Sequence, residues 1–351
     1  MPPSSITYNF DSLLTTTFMN MKSMIYDDIF NAIPFFWWIN SKERKRTEDG
    51  GERIVTALQY GRNTTIKSMA SGYSIVDTTP QDNLTSAYYL WKEISGSVTI
   101  SHKELRQNSG KHKIINLLQA KVDEFILSFQ EKLTQQLLTI ATSSPAANLD
   151  PLPLFIQKTP SGASTVGGIA QGTYAWWRNQ TKSSTATTWA LLLKEMTNLY
   201  NLCSKGAGAG KRDFPDMILC DQEYHETVEA AYRDKTRIYD TKAADLGFGG
   251  LKFKGATLLW DEYVPDMGTG TTSVTTDTVD TYDRTYLTAF FINSKYLELV
   301  VDKEGDLDIG PFIQPENQKA KTSIGYFMGN LTCSNRRKQG LHHTVVDTLA
   351  S

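Results

Sequence analysis

Residues 110–141 read GKHKIINLLQAKVDEFILSFQEKLTQQLLTIA and carry the strongest structural signal in the chain. Apolar residues recur there at intervals of three and four, which places them on one helical face: Ile114, Leu117, Leu118, Val122, Phe125, Ile126, Phe129, Leu133, Leu137 and Leu138. No proline follows until Pro145. At about 1.5 Å per residue, a helix of roughly 30 residues is about 45 Å long, far longer than the average globular helix. The sequence therefore predicts one long amphipathic helix that spans a subunit rather than a single core.

Extended chain precedes this helix. Residues 52–58 and 66–76 have the composition of two strands, and residues 61–63, Gly-Arg-Asn, have the chemistry of a turn between them. A further strand is predicted at 88–100. A two-stranded ribbon is only marginally stable in water and needs a surface to pack on. If its own chain offers none, we expect a neighbouring copy to supply that surface.

The N-terminal 40 residues are poor in charge and end in four consecutive aromatic side chains, Phe35, Phe36, Trp37 and Trp38. A segment with many apolar residues and few charges is poorly suited to project alone into water, so we interpret it as an arm that lies across a protein surface. Charge is instead concentrated between residues 42 and 67, within and just before the predicted ribbon.

Strand and helix alternate over residues 214–260, which predicts a compact mixed α/β lobe there. After the long helix, the sequence predicts a helix at 188–203, a strand at 216–220, a helix at 222–232, a strand near Ile238, and strands at 251–260, 286–292, 297–301 and 323–335. We expect the last of these strands to pair beside the long helix. Residues 269–283 are rich in Thr, Ser, Gly and Asp and are predicted to form an exposed loop.

Composition places the chain among globular proteins of two or three lobes. It has 351 residues, 40% of them hydrophobic, a formal charge of −2 and a pI near 6.2. This charge argues against a protein that coats nucleic acid over its whole surface. The three cysteines, Cys203, Cys220 and Cys333, are far apart and predict buried thiols. The sequence contains no run of eighteen apolar residues, so it predicts no membrane span.

Motifs that would carry chemistry are incomplete. Residues 206–212, Gly-Ala-Gly-Ala-Gly-Lys-Arg, differ from a phosphate-binding loop in glycine spacing and in the Arg that follows the Lys. Asp302, Glu304, Asp306 and Asp308 favour an acidic turn, with a weak calcium site as the alternative. The five histidines do not form a metal-ligand pattern. The sequence therefore predicts no catalytic residues, no cofactor and no metal site.

Three segments join the arm, ribbon and long helix in a recognisable order: VGGIAQGTYAWWRN at 166–179, PDMILCDQEYHETVEAAY at 215–232, and YDTKAADLGFGGLKFKGATLLWD at 239–261. Taken together, residues from about 13 to 344 resemble tailed-phage major capsid proteins of the Hong Kong 97-like fold. The resemblance implies an α+β fold with an N-terminal arm, an extended β-ribbon loop, a peripheral domain with a long spine helix, and an axial α/β domain. The implied ranges are 1–45 for the arm, 46–86 for the extended loop, 87–184 for the peripheral domain with its spine helix at 110–141, 185–315 for the axial domain, and 316–351 for the return to the peripheral domain and the tail.

The resemblance implies a structural protein rather than an enzyme: the major capsid protein of a tailed bacteriophage, assembled in the host cytoplasm as the virion shell. Its partners would be further copies in hexamers and pentamers, a separate scaffolding protein, a portal, a decoration protein and packaged double-stranded DNA, with no membrane. We expect the inter-subunit contacts to include seven residues, Phe35, Phe36, Trp37 and Trp38 of the arm and Arg53, Arg62 and Lys67 of the ribbon.

Alternatives remain open at this point. An encapsulin-like compartment shares the implied fold but encloses protein. A cytosolic enzyme would use the α/β lobe at 215–260, and a tail or tube subunit would form open rings. Some relatives of the implied family link a loop lysine covalently to an asparagine of a neighbour, but Lys67 has no identifiable partner here, so we predict no cross-link.

Overall fold

The computed structural model describes residues 33–107, 111–184, 188–205, 213–232, 251–267, 286–316 and 318–345. Its α-helices are α1 (Pro34–Ser41), α2 (His102–Gln107), α3 (Lys111–Leu138), α4 (Leu152–Phe155), α5 (Trp189–Ser204) and α6 (Gln222–Tyr232). Its first strands are β1 (Lys45–Glu48), β2 (Ile54–Gln59), β3 (Leu84–Tyr89), β4 (Lys92–Ser101), β5 (Thr165–Val166), β6 (Ile169–Ala170) and β7 (Gln180–Ser184). The remaining strands are β8 (Met217–Cys220), β9 (Leu251–Phe253), β10 (Ala256–Trp260), β11 (Tyr286–Ile292), β12 (Leu297–Asp302), β13 (Asp308–Ile309), β14 (Ala320–Cys333) and β15 (Gly340–Val345).

The long helix predicted from the sequence is α3, which runs for 28 residues. It packs on a five-stranded sheet in which β1, β12, β14 and β13 follow in order and β4 pairs with the other edge of β14. Gly96 of β4 and Gly325 of β14 lie opposite each other in the register, and the ring of Phe125 lies against both. The strand expected at 323–335 is β14, and it lies beside the long helix as predicted.

A second sheet has six strands, in the order β7, β15, β11, β8, β10, β9. Helices α5 and α6 bury their apolar faces against it around Leu199, Tyr224 and Phe291. Asp221 begins α6: one carboxylate oxygen accepts a hydrogen bond from the Tyr224 N–H at 2.6 Å, which satisfies a donor of the first turn. The helices predicted at 188–203 and 222–232 and the strand at 286–292 are confirmed.

Two predicted strands are divided. The segment 88–100 is shared between β3 and β4, and the segment 251–260 forms the hairpin β9–β10. Lys254 and Gly255 both have positive φ, at 49° and 98°, as a two-residue hairpin turn of this hand requires. The strand expected near Ile238, the loop expected at 269–283 and the glycine-rich segment 206–212 lie outside the described residues.

The ribbon differs from the prediction in its second strand. β2 pairs antiparallel with β3, from Ile54 opposite Tyr89 to Gln59 opposite Leu84, and not with residues 66–76. Residues 60–83 contain no strand; below, they are called the loop. Leu84–Tyr89 provides buried Ala87 and Tyr89 on one face, whereas Ile66, Tyr73 and Ile75 are largely exposed. Residues 84–89 rather than 66–76 therefore pair with β2, because they bury one face against the core.

Each of the two sheets combines strands from more than one of the implied domain ranges. β12 and β13, which fall inside the range 185–315, pair in the five-stranded sheet, and β7 and β15 pair in the six-stranded sheet. The division of the chain into an arm, loop, peripheral domain and axial domain stays a prediction.

Candidate assembly surface

Ring stacking and hydrogen bonds hold the base of the loop against the body of the protein. The ring of Tyr60 stacks on that of Trp176, with centroids 5.2 Å apart, and the Tyr60 hydroxyl donates to the Asp82 carbonyl at 2.7 Å. The Tyr88 N–H donates to the carbonyl of Gly167, and a side chain at Gly168 would collide with the Tyr88 ring. The glycine pair at 167–168 therefore lets the ribbon lie directly on the chain that carries Trp176.

Beyond this base, the loop is held by local polar contacts. Thr64 donates to the Gln81 side chain at 2.8 Å, and the Lys67 ammonium lies 3.3 Å from the Asp77 carboxylate. Asp77 also accepts from the hydroxyl and the N–H of Thr79, and hydrogen bonding from Thr79 is the main cause that lowers the pKa of Asp77. Asp77 is therefore stabilised as a carboxylate by Thr79 and by Lys67.

The apolar side chains of the loop are exposed. Tyr73 is 98% exposed, Ile75 97% and Ile66 81%, and Met69 and Val76 are also largely uncovered. Single exposed apolar residues are ordinary, but several together on one projecting segment indicate an interaction surface. The loop therefore presents an apolar surface that the single chain leaves uncovered.

The basic residues expected at contacts lie at or near this surface. Arg53 places its guanidinium 5.1 Å from the centre of the Tyr88 ring and 3.2 Å from Glu52. Arg62 is exposed within the loop, and Lys67 forms the ion pair with Asp77. All three are accessible to a neighbour, and their role in inter-subunit contact stays a prediction.

The aromatic cluster is located differently from the expectation for an arm. Pro34 begins α1, a position that suits the fixed φ of proline. Phe35, Phe36 and Trp38 are buried in the main core of the same chain, and Trp37 is partly buried against it. The single chain therefore already accounts for their burial. Contact between Trp37 and a neighbour stays a prediction, and residues 1–32 lie outside the described part of the chain.

A groove that the sequence did not reveal runs along the edge of the five-stranded sheet. It has a volume of about 480 Å³ and is lined by residues 94–99 of β4 and by residues of α3, including Lys121, Phe125, Ser128, Phe129 and Lys132. Among the described strands, β4 pairs with β14 alone, so its other edge borders the groove. The spacing of apolar residues does not show that β4 has an unpaired edge, because an edge strand and a central strand can have the same alternation of apolar and polar residues.

The acidic segment at 302–308 folds as a turn. One carboxylate oxygen of Asp302 accepts from the N–H groups of Glu304 and Gly305, each at 3.0 Å, and the Lys45 ammonium lies 2.5 Å from Asp306. Within the described ranges, no group of three His, Cys, Asp or Glu side chains converges as a metal site would require. No helix in those ranges is both long and apolar enough to cross a membrane.

No protein-family model and no curated protein matches this chain. Solved structures do match. The capsid subunit of cyanophage A-1(L) aligns with a TM-score of 0.61 and 13% identity, over 86% of this chain and 89% of that one. The encapsulin of Synechococcus elongatus PCC 7942, solved as a holo complex, aligns with a TM-score of 0.53 and 9% identity, over 90% and 89%.

These similarities establish the fold. The chain has the α+β architecture that capsid subunits of tailed phages share with encapsulins, the Hong Kong 97-like fold, and the fold expected from the sequence is confirmed. By their descriptions, one is the asymmetric unit of a phage capsid and the other an encapsulin complex. At identities of 13% and 9%, these similarities concern the fold alone.

Proposed function

We propose that this chain is a major capsid protein, which self-assembles into the icosahedral head shell of a tailed bacteriophage around double-stranded DNA. The observation that carries the proposal is the loop, whose Tyr73, Ile75 and Ile66 are almost fully exposed on the single chain. Covering one such side chain contributes about 1.5–3 kcal/mol. A neighbouring copy that covers them gains this free energy at every contact in a shell.

Repetition makes such contacts sufficient. A typical stable interface buries about 1,600 Å², and a closed shell joins many of them, so that each contact needs only modest affinity. Closed symmetry also limits growth. In this proposal, Arg53, Arg62 and Lys67 meet acidic or carbonyl groups of the neighbour, which gives the contact its orientation.

The parts of the chain take the roles that the fold suggests. Residues 46–86 form the extended loop, 87–184 and 316–351 the peripheral domain, and 185–315 the axial domain around which hexamers and pentamers close. A separate scaffolding protein, a portal and a decoration protein complete the partners. Assembly occurs in the host cytoplasm, the shell is the product, and catalysis has no part in it.

A second candidate is the shell of an encapsulin-like compartment, which the fold similarity to the encapsulin of Synechococcus elongatus favours. The two functions differ in what is enclosed, nucleic acid in one and protein in the other. The exposed loop serves either function.

Electron microscopy of the purified protein, together with light scattering, tests the proposal. We expect closed shells, and particles isolated from infected cells should contain nuclease-protected double-stranded DNA. A monodisperse monomer at high concentration would overturn shell formation, and open tubes would favour a tail subunit. Shells that enclose a protein and no DNA would establish the second candidate.

A further inference from the structure

We propose that a small basic cavity at one end of the five-stranded sheet binds a backbone phosphate of the enclosed double-stranded DNA. The cavity lies where β4 ends, α2 begins and β14 begins. This inference rests on the proposed function, because it assigns to the shell subunit a contact with the DNA inside. It places this end of the sheet on the inner side of the shell.

Side chains that donate hydrogen bonds line the cavity. It has a volume of about 190 Å³, and its lining residues are His102, Gln314, Lys319, Ala320 and Lys321. Two ammonium groups, an imidazole and a carboxamide can all donate to an anion, and among the described residues no acidic side chain is part of this lining. Small-molecule sites typically have roughly 300–1,000 Å³, so a cavity of this size suits one anionic group rather than a whole ligand.

Backbone pairing holds the walls of the cavity in place. The pairing of β4 with β14 continues to the end of β4, and the N–H of His102 donates to the Lys319 carbonyl at 2.9 Å. Ile313 and Thr322 exchange two backbone hydrogen bonds of 2.9 Å, which fixes the chain next to Gln314. Three separate segments of the chain are therefore joined around the donor side chains.

The two lysines lie on the same side of the sheet. Lys319 directly precedes β14 and Lys321 is its second residue, and alternate residues of an extended chain share one face. Burial lowers the pKa of Lys321. An ammonium group that has lost part of its water gains from a bound anion, because the anion favours the charged form that burial disfavours.

Two acidic residues lie close in sequence to the cavity, and neither lines it. The Glu104 carboxylate accepts from the Ser101 N–H at 2.9 Å, and this hydrogen bond is the main cause that lowers the pKa of Glu104. Glu316 belongs to the turn before β14. Residues 101–113 contain four Lys or Arg and one acidic residue, whereas the whole chain has a formal charge of −2. The sequence around the cavity is therefore basic in a slightly acidic protein.

The lining favours DNA over an acidic segment of a protein. Lys and Gln side chains commonly contact DNA phosphates, and such contacts carry no sequence information, which suits a shell that encloses DNA of any sequence. A protein partner is held mainly by apolar and aromatic anchors in buried pockets, and Ala320 is the sole apolar residue among those that line the cavity. A phosphodiester group is therefore the occupant that the lining fits.

DNA binding by dissociated subunits tests the site. The probe is a short labelled DNA duplex of mixed sequence, and fluorescence anisotropy measures its affinity between about 50 and 200 mM salt. The test variant is Lys319→Gln with Lys321→Gln, and the matched control is Lys194→Gln with Lys303→Gln, which removes the same charge from exposed positions outside the cavity. We expect about tenfold weaker binding by the test variant at the lowest salt, and a slope of log affinity against log salt that is smaller by about 1, the value for one phosphate contact. The control should keep the slope of the unaltered chain.

Charge retention provides a second comparison. Lys319→Arg with Lys321→Arg should bind the duplex as the unaltered chain does, because both positive charges remain. Equal weakening of the test and control variants, or no binding of the duplex by the unaltered chain, would overturn the site. Binding of inorganic phosphate without the duplex would assign the cavity to the free ion, and binding of a polyglutamate peptide without the duplex would assign it to an acidic protein. Either result would overturn the DNA contact.

Amine labelling of particles from infected cells supplies an independent measurement on the unaltered chain. We expect Lys319 and Lys321 to lose reactivity in DNA-filled particles relative to empty shells, whereas exposed Lys303 should react equally in both. Unchanged reactivity of the two lysines in filled particles would overturn the site while shell assembly stands. Absence of shells from the unaltered protein would instead overturn the proposed function.

Discussion

The ring of Phe125 occupies the space that a side chain at Gly96 would need: a methyl group there would lie 2.6 Å from one ring carbon. This contact sets how closely α3 approaches the five-stranded sheet. We predict that Gly96→Ala lowers the free energy of unfolding by about 1–3 kcal/mol, because the helix must move or the ring must leave its preferred rotamer. Urea unfolding of the dissociated subunit measures this difference in stability.

Ser97→Ala, at the exposed next position, provides the control and should change the free energy of unfolding by less than about 0.5 kcal/mol. Equal stability of the Gly96 variant and the unaltered chain would contradict the packing.

Arg336 is a buried cation held by neutral oxygens. Its guanidinium donates to the Phe155 carbonyl and the Gln171 side chain, each at 2.8 Å, and lies 5.9 Å from the centre of the Trp177 ring. Burial lowers the pKa of Arg336 to about 10, so the group stays charged at neutral pH. We predict that Arg336→Met costs on the order of 3 kcal/mol, because several buried acceptors lose their donor.

The neighbouring Arg337 is exposed and provides the control. Arg337→Met should leave the urea midpoint nearly unchanged. Arg336→Lys should not restore stability, since a single ammonium lacks the planar set of donors that reaches separate acceptors. A fully stable lysine variant would show that charge alone is required at this position.

The exposed loop side chains should matter for assembly and not for folding. We predict that Tyr73→Ser combined with Ile75→Ser leaves the unfolding midpoint of the subunit within error, because both side chains are already in water. Shell yield should fall at least tenfold, since the apolar surface offered to a neighbour is lost. Sedimentation of assembly reactions provides the measurement. Normal shells from this variant would remove the loop from the proposed interface.

Charge at the ribbon gives a separate test. We predict that Arg53→Glu with Arg62→Glu reduces shell yield, because like charges would then face the neighbour. The effect should weaken as salt rises, since exposed charges are screened. Lys303→Glu, an exposed charge reversal outside the ribbon, serves as the control. Unaltered yield of the double variant at low salt would argue against these contacts.

Stability should depend on pH through His343. Burial, with Lys158 and His342 nearby, lowers the pKa of His343 from 6.5 to about 4, against a small opposing effect of Asp266. Between these values the unfolded chain binds a proton that the folded chain does not, so this group destabilises the fold as pH falls from about 6.5 to about 4.

His343→Asn removes this contribution. The difference in free energy of unfolding between the variant and the unaltered chain should be constant above pH 6.5 and should shift in favour of the variant at lower pH. Urea unfolding at pH 7 and pH 5 measures both. Parallel stability curves would mean that His343 accepts a proton as readily in the fold as outside it.

Local patterns predicted the elements whose signal lies within one segment. The helix α3 followed from the spacing of its apolar residues, and α5, α6 and β11 followed likewise. Residues 66–76 misled the prediction, because a strand exists only with a partner, and β2 found its partner in β3. The aromatic cluster that begins at Phe35 predicted burial, but the sequence did not show which surface would cover it. In the structure, the core of the same chain covers it.

Periodicity and composition were sufficient to define an amphipathic rod, an α+β class and an order of elements typical of shell subunits, because each is a property of neighbours along the chain. The register that places Gly96 opposite Gly325 under Phe125, the open edge of β4, and the exposure of Tyr73 and Ile75 arose only when distant segments packed. Burial depends on contacts between segments far apart in sequence, and the surface that we propose for assembly is what that packing leaves exposed.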